Sequence, residues 1–228
     1  MYLDEQSKEI AFFSEFVSEH KKALFQKVLD YRTRFMTVVL EDIYQPQNAS
    51  AVLRSCDGFG VQDVHIIENK NYFDIDNGVT IGSHKWLDLI RYNRNDSNNT
   101  DDAFKQLRHK GYQIIAVTPH SRQVPLTDFK PKQPFALVFG TEKLGLSPFA
   151  SDNADHRIYV PMFGFSESFN ISVCASLCLF HFRNYLSESS LPWKLDKLEK
   201  KMIYLQWLRK SLRHLPALEK KFKEIHAK

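Results

Sequence analysis

Phe135-Ala-Leu-Val-Phe-Gly-Thr-Glu-Lys-Leu-Gly-Leu-Ser147 decides how the rest of the chain is read. Five apolar residues run on without alternation, the pattern of a strand buried on both faces. The run stops at a glycine, Gly140, followed by an acid at Glu142 and a second glycine at Gly145, and a short helix is expected over 145–154. Residues 35–40, 64–67, 113–117 and 157–160 are further short β-rich runs. Between them lie helix-like segments over about 48–57, ended by Gly58-Phe-Gly60, over 101–110, ended by Gly111, and a long apolar one over 168–186. Short buried strands alternating with helices imply an α/β fold, a parallel sheet with helices on both faces.

Outside this core the pattern changes. Residues 5–31 carry a broken apolar stripe, Ile10, Phe13, Phe16, Val17, Leu24, Val28 and Leu29, near the helical period. Residues 70–100 are polar and read as irregular, and 119–134 hold four prolines and read as a loop with at most one helical turn. Pro192 breaks the chain before basic helices. The expected division is an N-terminal helical extension over 1–34, an α/β domain over 35–187 and a basic helical extension over 188–228.

Composition excludes several classes. With 43% hydrophobic and 25% charged residues the 228-residue chain has an ordinary globular profile. No apolar stretch approaches bilayer length, and acids stand where a signal peptide has its basic end, so the protein reads as cytoplasmic. Cys56 stands alone and Cys174 and Cys178 are four apart. That spacing matches neither a disulfide framework nor a metal site, so all three read as core residues, and no metal is expected. The net charge of +4 is uneven. From Lys194 to Lys228 there are 11 Lys and Arg against 4 Asp and Glu, leaving the first 193 residues mildly acidic. A basic tail fits a polyanionic partner, most simply nucleic acid, or a merely solvated helix.

In open parallel sheets, ligands bind beyond the carboxyl ends of the strands. Three such ends carry unusual polar residues. Asn48 and Arg54 lie six apart in 45–60; Glu142 lies between Gly140 and Gly145; Ser168 and Asn170 follow Gly164 in Val160-Pro-Met-Phe-Gly-Phe-Ser-Glu-Ser-Phe-Asn-Ile-Ser172. Singly, each has a plain reading, with Asn48, Ser168 and Asn170 as helix caps, Arg54 as a surface cation and Glu142 as the top of a helix. Together and in this order they are more specific.

These three segments resemble the motifs of the SpoU/TrmH family of the SPOUT RNA methyltransferases over about 35–186, and Gly82-Ser-His-Lys-Trp86 resembles that family's connector. Phe169 stands where the family usually has leucine. The resemblance implies S-adenosyl-L-methionine (AdoMet) as methyl donor, a C-terminal trefoil knot and a homodimer whose sites are completed across the interface. It also implies a tRNA substrate methylated on a ribose 2′-hydroxyl, guanosine 18 of the D-loop. Ribosomal RNA is the alternative, and a catalytically dead RNA-binding module is disfavoured by the intact polar set. No GxGxxG follows a strand, which argues against a Rossmann-type cradle. The resemblance assigns Arg54, Asn48, Glu142, Ser168 and Asn170 to catalysis, with Arg54 acting either as base or as phosphate clamp. AdoMet falls to Thr118, Gly140, Val160 and Phe169. Candidate RNA contacts are His84, Lys85, Arg91, Lys200, Lys201, Lys220 and Lys221.

Overall fold

The structure, a computed structural model, describes residues 2–119 and 124–226. Within residues 33–193, seven parallel strands form one sheet: β1 (Met36–Glu41), β2 (Asp63–Ile67), β3 (Asp88–Tyr92), β4 (Gln113–Val117), β5 (Val124–Pro125), β6 (Phe135–Phe139) and β7 (His156–Tyr159). Their order across the sheet is β3-β2-β1-β6-β4-β7-β5. The helices are α3 (Pro46–Gly58), α4 (Asn77–Thr80), α5 (Asn99–His109), α6 (Pro148–Asp152) and α7 (Ile171–Glu188).

The unbroken apolar runs of β1 and β6 follow from their position. Both are central, both are wholly buried, and successive side chains enter different cores. Val38, Leu40, Leu137 and Phe139 pack with Val52 and Leu53 of α3 and Leu179 and Phe182 of α7. Val39, Ala136 and Val138 pack with Phe104 and Leu107 of α5.

The structure corrects several sequence expectations. The stretch over 70–100 is not wholly irregular, because it holds α4, a 3-10 turn at Ser83–Trp86 and β3. β3 escapes detection because Asp88 and Arg91 interrupt its apolar residues, and an edge strand tolerates them. Asp88 is held by Arg34, whose guanidinium also pairs with Asp63 at 3.0 Å. Helix α3 begins at Pro46, not Asn48, since a proline suits the first helical position. Helix α6 starts only after Ser147, which caps it, because the segment before it is a closed turn. Helix α7 begins after Asn170, and Ser168 lies outside it. In the proline-rich loop, Val124–Pro125 add an edge strand and Leu126–Asp128 a 3-10 turn; residues 120–123 lie outside the described residues.

Residues 1–32 and 194–228 form a second compact unit. It contains α1 (Tyr2–Ser14), α2 (Glu19–Leu29), α8 (Lys197–Ser211) and α9 (Leu215–His226). Aromatic contacts hold it together, Phe25 to Trp207 at 5.4 Å and Phe12 to Phe222 at 5.5 Å between centroids. Asp196 and Glu199 form a capping box at the start of α8. Among the described residues, no helix is long and apolar enough to cross a membrane.

Candidate active site

The segment after β6 folds back on itself. The Thr141 N–H donates to the Gly145 carbonyl at 2.8 Å, and the Gly145 N–H donates to the Thr141 carbonyl at 3.0 Å. Gly145 takes φ +69°, and a Cβ on Gly140 would lie 2.2 Å from the Gly145 backbone. Both glycines are therefore demanded by the turn, one for its dihedral and one for its closeness. The turn projects Glu142 back towards the start of α3.

There the Asn48 Nδ2 donates to Glu142 Oε1 at 2.9 Å and to Gln45 Oε1 at 2.8 Å. The Asn170 Nδ2 donates to Asn48 Oδ1 at 3.1 Å, and Asn170 Oδ1 accepts the Ser172 N–H at 2.9 Å as the cap of α7. Asn48 is thus not the expected helix cap. It sits in the first turn of α3, which frees its amide to join residues 94 and 122 positions away. The three strand-end segments are knitted into one hydrogen-bonded chain, Glu142–Asn48–Asn170.

A cavity of about 610 Å³ opens beside this chain. Its walls include Glu142, Ser168 and Asn170, and also Thr118, Gly140, Val160 and Phe169. Ser168 makes no hydrogen bond among the described residues, so its hydroxyl is available to a ligand. Arg54 is placed differently. It is exposed on α3, lies outside the cavity wall, and its side chain has no hydrogen bond or ion pair among the described residues. Six residues of helix separate it from Asn48, about 9 Å along the axis and roughly 120° around it.

Glu41 was not singled out in the sequence. Its side chain is buried at the end of β1, where Thr100 Oγ1 donates to Oε1 at 2.6 Å. Ser147 donates its hydroxyl to Oε1 at 2.7 Å and its N–H to Oε2 at 2.9 Å. A buried carboxylate thereby fixes the far end of the turn that carries Glu142. An acid closing an apolar run was the only signal for it.

The candidate RNA contacts divide into two groups. In the sheet unit His84 shares a 3.0 Å hydrogen bond with Thr80, Lys85 is exposed, and the Arg91 guanidinium covers the Phe73 ring, 3.6 Å from Glu68. In the helical unit Lys200 pairs with Asp30 at 2.7 Å, and this lysine lowers the Asp30 pKa. Lys201 donates to Ser7, Lys220 lies 4.0 Å from Glu224, and Lys221 stands over Phe16. Cys56 and Cys178 are buried, whereas Cys174 is half-buried and lines the cavity. A hydrogen bond from Cys178 holds the Cys174 thiol pKa down and that of Cys178 up. Among the described residues, no group of three or more His, Cys, Asp or Glu side chains could hold a metal ion.

Similarity to known proteins points the same way. Residues 36–180 match the SpoU rRNA Methylase family. A tRNA (guanosine(18)-2′-O)-methyltransferase of Borreliella burgdorferi is 36% identical, over 95% of this chain and 97% of that one. One of the same name from Thermus thermophilus is 31% identical, over 85% and 98%. The solved A. aeolicus TrmH/SpoU tRNA modifying enzyme superposes with a TM-score of 0.75 at 28% identity, over 85% of this chain and 98% of that one. The parallel sheet, the knitted strand ends and these near-full-length likenesses agree: the chain belongs to the SpoU methylase family.

Proposed function

We propose that this protein methylates the ribose 2′-hydroxyl of guanosine 18 in the D-loop of tRNA, with AdoMet as donor. The hydrogen-bonded chain Glu142–Asn48–Asn170 at the wall of a cavity carries this reading, in a protein whose near-full-length relatives are named for that activity.

The residues present fit AdoMet. The cavity is within the usual range for small-molecule sites, and its wall includes the backbone of the closed turn from Gly140 to Gly145. Thr118, Gly140, Val160 and Phe169 would hold the adenosine part, the apolar side chains against the ring. When bound, AdoMet supplies an electrophilic methyl group on a sulfonium.

This chain's own side chains then align the acceptor. A guanidinium is a poor proton acceptor and a good bidentate donor, so Arg54 clamps a phosphate beside the target ribose and lowers the cost of ionising its hydroxyl, whose proton passes to water. Ser168, in the loop before α7, directs its hydroxyl at anionic oxygen, helped by the positive N-terminal end of the helix that Asn170 caps. Asn48 and Glu142 hold these two segments in register and act as positioning residues.

The remaining parts of the reading are a trefoil knot formed by the loops after β6 and β7, a homodimer and a cytoplasmic location. Val173, Leu177 and Phe180 are exposed on one face of α7, an apolar stripe suited to a second copy. Arg54 adjoins Ser55, which hydrogen-bonds Ser176 of α7 at 2.8 Å, so a dimer through this face completes the site with Arg54 at the interface. The helical extensions carry additional tRNA contacts; His84, Lys85 and Arg91 supply others from the sheet unit. The test is incubation with labelled AdoMet and separate unmodified tRNA and ribosomal RNA, followed by mapping of the methylated nucleoside. Label confined to ribosomal RNA would replace this reading with its alternative.

A further inference from the structure

Phe163 and Phe165 flank Gly164 in the loop between β7 and α7 and are exposed to 98% and 109%. Two phenylalanines held entirely in water are unusual on a globular surface. They are not remote from the cavity. Met162 before them and Glu167, Ser168 and Phe169 after them all line it, so the pair stands at its rim.

The chemistry of the acceptor says what belongs there. A ribose presents its 2′-hydroxyl one carbon away from C1′, which bears the base. When that hydroxyl enters the cavity, the base must come to rest at the rim. A nucleotide drawn out of a folded RNA has left its stacking neighbours and needs new ones.

Resting on the function proposed above, we infer that Phe163 and Phe165 form the stacking platform for the base of the target nucleotide. They act on the faces of the base, so they add affinity for an unstacked nucleotide without reading its hydrogen-bonding edge. The inference gives the loop a task distinct from that of Ser168 and Asn170, which face the cavity.

The test uses the full chain, an unmodified tRNA transcript and saturating AdoMet. Phe163→Ala with Phe165→Ala should raise KM for the transcript about tenfold to a hundredfold, the range expected for losing base stacking. AdoMet affinity by calorimetry and sedimentation of the free protein should not change. Tyrosine at both positions should restore KM and leucine should not, because a ring face rather than apolar area is required. Unchanged KM overturns the inference, as does full rescue by leucine. A shift to a smaller sedimenting species also overturns it, since the rings would then belong to an interface between copies. Failure of the wild-type protein to methylate any RNA is a different result and strikes the proposed function.

Discussion

Several cations of the helical unit differ in their surroundings from Arg54 of the sheet unit. In the helical unit Lys200, Lys201, Arg209 and Lys220 each have an acid or hydroxyl partner close by, including Arg209 to Glu9 at 2.5 Å. In the sheet unit Arg54 is exposed and has no such partner among the described residues, although the segments around it are densely cross-linked. Net charge counts both kinds alike. Availability to a phosphate differs, and it favours the single arginine over the lysine-rich tail.

Replacing Arg54 is the most severe way to probe this contrast. Arg54→Ala should lower kcat/KM by on the order of 10²- to 10³-fold, the usual cost of losing one preorganised donor, while AdoMet affinity by calorimetry stays level. Arg54→Lys should recover little, because an ammonium does not replace a planar fork. Good activity in the lysine variant would break the clamp account.

The cross-linked surroundings are probed by Asn48→Asp. It sets a carboxylate against Glu142 and removes two donated bonds. Activity should fall about tenfold to a hundredfold, with a stability loss of about 1–3 kcal/mol in denaturant titration. A stable but inactive variant would move Asn48 from positioning to direct contact with substrate.

A buried imidazole in the sheet gives a pH dependence that involves neither Arg54 nor the lysines of the helical unit. His65 lies on β2, stacked on and hydrogen-bonded to Tyr92 at 2.9 Å, and burial lowers its pKa from 6.5 to about 4. Above pH 6.5 it is neutral in both folded and unfolded chains and adds no pH dependence. Below that, the unfolded chain takes up a proton that the folded one refuses, so stability falls between pH 6.5 and 4 by about 3 kcal/mol. His65→Gln should flatten that limb of the stability profile, read by urea titration at a series of pH values.

The smallest effect is expected in the tail. If Lys220 and Lys221 touch phosphates, reversing both to Glu should reduce the slope of log affinity against log salt by roughly 0.7–0.9 for every phosphate they had neutralised. Reversing Lys200 and Lys201 mainly breaks the bonds to Asp30 and Ser7 and should change the slope less. Equal slopes in both pairs would erase the distinction between lysines bonded at 2.6–2.7 Å and a looser pair in which Lys220 lies 4.0 Å from Glu224.

Much of the fold was legible because the central strands are apolar on both faces and need no partner pattern to be seen. β3 was not, because Arg91 and Asp88 mark an edge strand that looks like loop. The site was legible as a set of residues and not as an arrangement. Asn48 read as a cap because asparagine near a helix start usually is one, whereas Pro46 fixes the start two residues earlier. Its bonds to Glu142 and Asn170 span 94 and 122 residues, and no local pattern encodes them. Glu41 was hidden for the same reason, its partners Thr100 and Ser147 lying far along the chain. The lysine-rich tail announced itself by count, and only the folded chain reveals which of its charges are already paired.

Methyl transfer to one ribose hydroxyl is open to test by a single substitution in the RNA. Two unmodified tRNA transcripts, one with guanosine and one with 2′-deoxyguanosine at position 18, are incubated with the protein and labelled AdoMet, and nucleosides are mapped by mass spectrometry. 2′-O-methylguanosine is expected at position 18 of the first transcript, and no label in the second. Equal label in both would contradict it, because the acceptor would then be another atom.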